Sequence, residues 1–313
     1  ELHAGLEKTE FLIVFPLVAE GRARLVGTVL KETLDPNEEL SWNDVSKRVI
    51  DWMRIDVKSV NWFSTYRVHH RVADSFRKSR VFLLGDAAHI HSPVGGQGMN
   101  TGIGDAINLA WKLASCLHGR SDGTLLDTYE PERIAFARRL VATTDRAFTE
   151  VTSPSFIARL VRLKIIPLLM PSFFKLNAAR RLMFRTVSQT QINYRGSALS
   201  EGRAGNVHGG DRLPWVKIQS GTADNDNFAP LTSLDWQAHV YGTAAPGLKD
   251  ICGARKIPLH IFQWIPEMAR AGLKRGAIYL IRPDSYIAMV DPRGSAKSIS
   301  AYLDKRNFRS SRQ

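Results

Sequence analysis

No stretch restricts the possible folds of this chain as tightly as Val81 to Leu113, VFLLGDAAHIHSPVGGQGMNTGIGDAINLAWKL. It opens on an unbroken apolar run, Val81-Phe82-Leu83-Leu84, of the kind that suits a strand covered on both faces, as in parallel sheets. Gly85-Asp86 ends the run and places a carboxylate at the strand's carboxyl end, where ligands sit in open α/β sheets. Pro93 then fixes the chain direction, and Gly95, Gly96 and Gly98 remove side chains so that backbone can approach a flat ligand closely. From about Gly98 the spacing predicts a long helix, whose unpaired N–H groups and dipole favour negative charge. Met99, Ile103, Ala106, Ile107, Ala110, Ala114 and Leu117 are expected to form its one apolar face, and Gly119 to stop it. An acid, a glycine-rich turn and a helix N-terminus suit a polyol joined to a group that becomes anionic. A nucleotide phosphate would suit them too, and the spacing alone does not choose.

On either side the pattern is mixed α/β. Phe11–Pro16 and Arg24–Leu30 read as strands joined by a turn at Glu20-Gly21. Ser41 is placed to cap a helix over Trp42–Met53, and Val57–Val72 reads as extended. After the central helix, Asp127 is expected to cap a second one, with Glu130 three residues on and Pro131 in the first turn. Ile134, Ala137, Val141, Phe148 and Val151 form its stripe. Pro167 and Pro171 are expected to split the basic, apolar stretch Pro154–Ser188 into short helices. Around Tyr194–Trp215 the composition turns to Gly, Ser, Asp and Pro, which reads as a linker. Beyond it lie strands at Gln237–Tyr241, Leu259–Trp264, Ala277–Arg282 and Tyr286–Val290, the last two a hairpin through Pro283-Asp284-Ser285, and a terminal helix near Ala296–Lys305.

Composition removes several classes. The net charge is +13, from 43 Lys+Arg against 30 Asp+Glu, yet the basic residues are scattered and accompany no zinc-finger, RNP or basic-zipper pattern. Nucleic acid is therefore not an expected partner, and the charge reads as a solvated surface able to attract anionic ligands. No apolar run reaches the roughly 18 residues of a membrane span. Contact with a membrane surface through Phe156–Phe184, where Arg and Lys interleave with Leu, Ile, Met and Phe, is weighed and set below ordinary packing. Cys116 and Cys252 are far apart and in no metal-binding spacing, which points to a reducing cytoplasm, with no metal.

The central segment resembles a known family. Gly85-Asp86-Ala87-Ala88-His89, Pro93, Gly95, Gly96-Gln97-Gly98-Met99-Asn100, Asp105-Ala106 and Asn108-Leu109-Ala110-Trp111-Lys112-Leu113 are similar, in order, to the GD segment of class A flavoprotein monooxygenases, the para-hydroxybenzoate and phenol hydroxylases. Leu125–Arg133 resembles the next helix start of that family. The resemblance implies FAD, whose reduced ring gathers negative charge and so answers the polyol-plus-anion description. Asp86 would bind the ribityl hydroxyls. Pro93, Gly95, Gly98, Met99 and Asn100 would meet the isoalloxazine ring, mostly through backbone, and Gly85, Gly96 and Gln97 complete the cofactor-binding set. His89 would be a packing and hydrogen-bonding residue, and Asp105 a complement to its helix's dipole.

The implied fold is α/β: an incomplete FAD-binding, para-hydroxybenzoate hydroxylase-like domain plus a thioredoxin-like α/β domain. Residues 1–60 would end the substrate-binding sheet and return to the FAD domain. Residues 61–153 would form that domain's C-terminal part, 154–195 a helical segment and 196–313 the thioredoxin-like domain, which lacks Cys-x-x-Cys and so cannot exchange disulfides. The family's Gly-x-Gly-x-x-Gly turn is absent from these residues and is expected upstream of residue 1. The implied reaction is hydroxylation of a small phenolic or other aromatic substrate with NAD(P)H and O2. No catalytic acid or base is assigned. Phe11, Ile13 and Phe15 could line a pocket, but core packing is the stronger expectation. The alternatives are the same fold acting on a polyketide or antibiotic, and an inactive fragment that serves as an association module through 190–313, a homodimer among the possibilities.

Overall fold

The computed structural model describes residues 3–7, 10–18, 21–27, 40–45, 47–65, 69–91, 97–152, 155–220 and 223–309. They cluster into two units, Glu1–His70 with His91–Gly95 and Ala142–Phe184, and Arg71–Ile90 with Gly96–Val141 and Arg185–Gln313.

In the first unit, β1 (His3–Glu7), β2 (Glu10–Pro16) and β3 (Ala23–Gly27) form an antiparallel meander in that order, with Leu12 opposite Gly27 and Phe15 opposite Arg24. Residues 28–30 of the expected second strand, and Glu20 of its turn, lie outside the described residues. Ser41 does cap, but only a 3-10 turn, Trp42–Asp44, where Asp44 completes a capping box. The helix α1 is shorter than expected, Lys47–Trp52. It buries Ile50 against Leu12, with Leu25, Trp42, Val45 and Met53 around them. The sheet face that meets α1 thus carries the even-numbered residues of β2 and Leu25 of β3. Phe15 is exposed and Ile13 only half-buried, contrary to the expected core role, while the side chain of Phe11 lies outside the described residues.

The second unit begins with two short antiparallel pairs. β4 (Arg71–Val72) pairs with β7 (His89–Ile90), and β5 (Arg77–Lys78) pairs with β6 (Val81–Phe82). The run Val81–Leu84 is therefore not a covered parallel strand. The chain reverses at Ser79 (φ +55°), pairs back on itself, and leaves Val81 and Leu84 exposed. Next come α2 (Gly98–Leu117), stopped as expected before Gly119 (φ +67°), and α3 (Tyr129–Thr152). Asp127 does not cap α3. The capping aspartate is Asp122, which caps a 3-10 turn over Gly123–Thr128, while Asp127 pairs with Arg77. Glu130 accepts from the Ser75 hydroxyl and from the N–H groups of Phe76 and Arg77, at 2.6, 2.6 and 3.0 Å. Ile134 and Ala137 are buried; the side chains of Phe148 and Val151 lie outside the described residues.

Three helices follow: α4 (Phe156–Leu160), α5 (Ile166–Lys175) and α6 (Asn177–Val187), with a π-turn over Val161–Ile165. Pro167 stands in the first turn of α5, where its missing donor costs little, and Pro171 lies inside that helix without ending it. The expected split at Pro171 does not occur.

The stretch expected to be a linker is packed. β8 (Arg203–Ala204) and β9 (Val207–His208) form a tight hairpin, and Tyr194, Leu199, Ala204, Val207 and Leu213 are buried. Its glycines serve close approach rather than looseness: a Cβ on Gly202 (φ +80°) would stand 2.0 Å from the Val290 carbonyl oxygen. After a hairpin of β10 (Lys217–Ser220) and β11 (Ala223–Asp226), which the sequence pattern did not indicate, comes a four-stranded sheet. It is built from β12 (Gln237–Tyr241), β13 (Leu259–Phe262), β14 (Ile278–Ile281) and β15 (Ile287–Asp291), in the order β13-β12-β14-β15. β12 runs parallel to β13 and antiparallel to β14, and β14 and β15 form the expected hairpin. The helices are α7 (Leu248–Ala254), α8 (Pro266–Arg270) and α9 (Ala296–Lys305). Leu248, Cys252, Ile299, Tyr302 and Leu303 pack with Ala238, Val240, Ile278 and Leu280 in one core, and Met268 joins Tyr241, Tyr279 and Ile281 in the other. Among the described residues no helix is long and apolar enough to cross a membrane.

Candidate functional site

Asp86 sits in a 3-10 turn, Gly85–Ala87, between β6 and β7. Its side chain is exposed, and no hydrogen-bond partner for its carboxylate stands among the described residues. Gly85 takes φ +56°, and its Cα faces Gly102 one turn into α2 so closely that a Cβ on Gly102 would lie 3.3 Å from it. Two glycines thus bring the Asp86 turn against the first turns of α2. There Gln97 and Gly98 are half-buried and Met99 and Asn100 exposed, with no side-chain cap on the helix and no acidic residue in its first turn. Among the described residues, a carboxylate without a hydrogen-bond partner therefore lies beside a helix N-terminus without a side-chain cap. Pro93, Gly95 and Gly96 lie outside the described residues. Of the nine expected cofactor residues, the structure brings together Gly85, Asp86, Gln97, Gly98, Met99 and Asn100. A cavity of about 480 Å3 elsewhere, lined by Glu201, Asp291 and Lys305 among others, contains none of them.

The face of α2 turned inward is not the apolar stripe. Met99, Ile103, Ile107 and Leu117 are exposed, while Thr101, Asp105, Asn108, Leu109, Trp111, Lys112 and Ser115 are buried. The buried polar residues belong to two networks. Asp105 Oδ2 accepts from the Gly85 N–H (3.0 Å) and from His89 Nε2 (2.7 Å), and Oδ1 accepts from Arg133 Nε (2.6 Å). Arg133 also donates to the Tyr194 hydroxyl (2.9 Å) and the Thr101 carbonyl (3.1 Å). Burial would raise the carboxyl pKa of Asp105, but the His89 hydrogen bond and the Arg133 charge outweigh it and hold it below the ordinary value. His89 has the hydrogen-bonding role expected of it. Asp105, expected to complement its helix's dipole, is instead the centre of a buried ion pair.

Farther along α2, Lys112 Nζ donates to Glu132 of α3 (2.8 Å), which also takes a bidentate pair from Arg282 (2.8 and 2.9 Å). Asp284 takes Arg282 (3.0 and 2.6 Å) and the Trp111 indole N–H (3.0 Å). Arg282 is wholly enclosed, its guanidinium carbon 5.1 Å from the Trp111 ring centre and 5.2 Å from that of Tyr194. Two cations face two anions, so the cluster is neutral. Burial lowers the Lys112 pKa to about 8 against the pull of Glu132, and Glu132 itself, though buried, is held well below the carboxylate range by Arg282 and Lys112. In the sequence Trp111, Lys112 and Glu132 belong to the two family-like segments, and Arg282 and Asp284 only to a hairpin. The sole clue was density of polar residues at helical spacing on the face opposite the apolar stripe.

Residues 5–144 match the family model described as FAD binding domain. The chain is 32% identical over 274 residues to a flavin-dependent monooxygenase of Mycobacteroides abscessus, covering 84% of this chain and 48% of that protein. It is 40% identical over 280 residues to the 6-methylpretetramide 4-monooxygenase of Streptomyces rimosus, covering 80% of this chain and 48% of that protein. In three dimensions it resembles an aromatic hydroxylase from angucycline biosynthesis with a TM-score of 0.72 at 23% identity, over 99% of this chain and 61% of that one. The chain thus spans about half the length of the curated relatives it matches.

Proposed function

This chain belongs to the class A FAD-dependent aromatic hydroxylases, and from that premise we propose that residues 85–100 hold the ribityl chain and ring edge of FAD in a monooxygenase. One observation carries the placement: Asp86 is an open carboxylate fixed beside the uncapped N-terminus of α2. An acceptor there suits the ribityl hydroxyls, and unpaired helix N–H groups suit the ring edge that becomes electron-rich. Gly85, Gln97, Gly98, Met99 and Asn100 supply near-backbone contact, with Pro93, Gly95 and Gly96 completing the set.

When bound, the flavin supplies the redox chemistry, passing electrons from NAD(P)H to O2 so that one oxygen atom enters an electron-rich aromatic ring. The chain's own residues orient and hold. Asp86 accepts hydrogen bonds and fixes the cofactor's tail, while the helix dipole favours its reduced form. The segment 196–313 reads as a thioredoxin-like domain, supported by the strand order β13-β12-β14-β15 with one parallel and two antiparallel pairings. Two free thiols support a cytoplasmic setting. A fused-ring antibiotic or polyketide is the second reading of the substrate, favoured by the name of the 40%-identical relative, a 6-methylpretetramide 4-monooxygenase.

The reaction is tested by supplying the whole protein with FAD, NAD(P)H and isotopically labelled O2 over a set of phenols and fused-ring polyketides. Label in a hydroxylated product is the expected result. Reductant consumption with label found only in peroxide or water, across the whole set, would contradict it.

A further inference from the structure

Asp86 is useful to a ligand only if its turn is held still, and the turn has little of its own to hold it. β6 and β7, on either side, are two residues each, and the turn is a single 3-10 loop. Its two ends are nevertheless tied to one atom. Asp105 Oδ2 accepts from the Gly85 N–H at 3.0 Å, immediately before Asp86, and from His89 Nε2 at 2.7 Å, immediately after the turn closes. The second oxygen is taken by Arg133 at 2.6 Å. Arg133 cannot swing, because Tyr194 and the Thr101 carbonyl hold its other nitrogens and Gly104 leaves it space: a Cβ there would lie 3.1 Å from its Nη2. Asp105, His89 and Arg133 are each almost wholly buried, so none of them can reach a ligand.

We propose that Asp105 is a positioning residue that fixes the Asp86 carboxylate by clamping both ends of its turn, with Arg133 and Tyr194 setting the clamp's direction. This inference rests on Asp86 being a flavin contact. A charged acceptor suits the role, since bonds to an ionised carboxylate are the shorter and stronger kind and a single oxygen can take two donors at once. Tyr194, which belongs to the segment that read as a linker, thereby reaches the cofactor site through two hydrogen bonds.

Two measurements on the whole protein separate the clamp from the site it serves. In Asp105→Asn, deuterium exchange of the peptide spanning Leu84–His89 is expected to speed up by about tenfold or more, because an amide oxygen is a weaker partner for both donors and cannot pair with Arg133. FAD affinity, read by flavin fluorescence, is expected to fall by about tenfold. The double variant Asp105→Asn/Asp86→Ala should bind FAD no more weakly than Asp86→Ala alone, since a clamp has nothing left to position. Additive losses, or an unchanged exchange rate, would overturn the proposal. If Asp86→Ala leaves FAD affinity unaltered while Asp105→Asn still frees the turn, the clamp stands and the placement of the cofactor falls. Should Asp105→Asn not fold, His89→Gln against His89→Ala decides. The glutamine keeps a donor and should restore most of the affinity lost in the alanine variant, and failure to do so overturns the role.

Discussion

Arg282 has no exposed surface, yet it makes four charge-assisted contacts, two to Glu132 and two to Asp284. Taking such a group out of water is costly, and only its geometry returns the cost, through two forks and a stack against Trp111 and Tyr194. Arg282→Met should therefore leave Lys112 to face both Glu132 and Asp284, one buried negative charge in excess, and lower unfolding stability by about 3–5 kcal/mol. Urea titration followed by tryptophan fluorescence measures it, and a loss under about 1 kcal/mol would contradict the packing described. Arg282→Lys should not rescue, because an ammonium cannot fork to both carboxylates. None of this could be read from Arg282 itself. In the sequence it is one basic residue beside a turn, and of its partners only Asp284 is near, while Glu132 and Trp111 lie far away. What could be read was local: Gly85-Asp86 before a small-residue segment, and a helix opening near Gly98, both found where the pattern put them.

At the scale of elements, α2 shows why periodicity gives a helix but not its inward face. Its apolar stripe is real in the sequence and faces outward here, whereas the buried side is held by Asp105, Asn108 and Lys112. Hydrophobic spacing assumes that apolar residues are the ones covered, and a helix anchored by ion pairs breaks that assumption. Leu109→Ala, at a buried position, should cost about 2–5 kcal/mol. Ile107→Lys, half exposed, should change the stability of this chain by less than about 0.5 kcal/mol. Thermal unfolding of the two variants checks the orientation, and the reverse ranking would mean that the stripe is the buried face. The same lesson holds for Val81–Leu84. An unbroken apolar run reads as a covered strand, but strand length and partner depend on what lies beside it, and β5 is its partner among the described residues. By contrast, the hairpin through Pro283-Asp284-Ser285 follows local turn chemistry, and both it and the helix α9 were legible.

Across the whole molecule, the segment with Asp86 and the C-terminal sheet are parts of one packed unit, joined through Arg133–Tyr194 and Glu132–Arg282. The cofactor site proposed on this short turn would gain rigidity from that distant support. Asp86 is proposed to receive the ribityl hydroxyls of FAD. FAD titration of the whole protein, wild type against Asp86→Ala, tests it most directly. Loss of bonds to a charged acceptor, each about 1.5–3 kcal/mol, should weaken binding by about 10- to 100-fold with the fold intact by circular dichroism. An affinity equal to that of the wild type in a folded Asp86→Ala protein would contradict the placement of the cofactor.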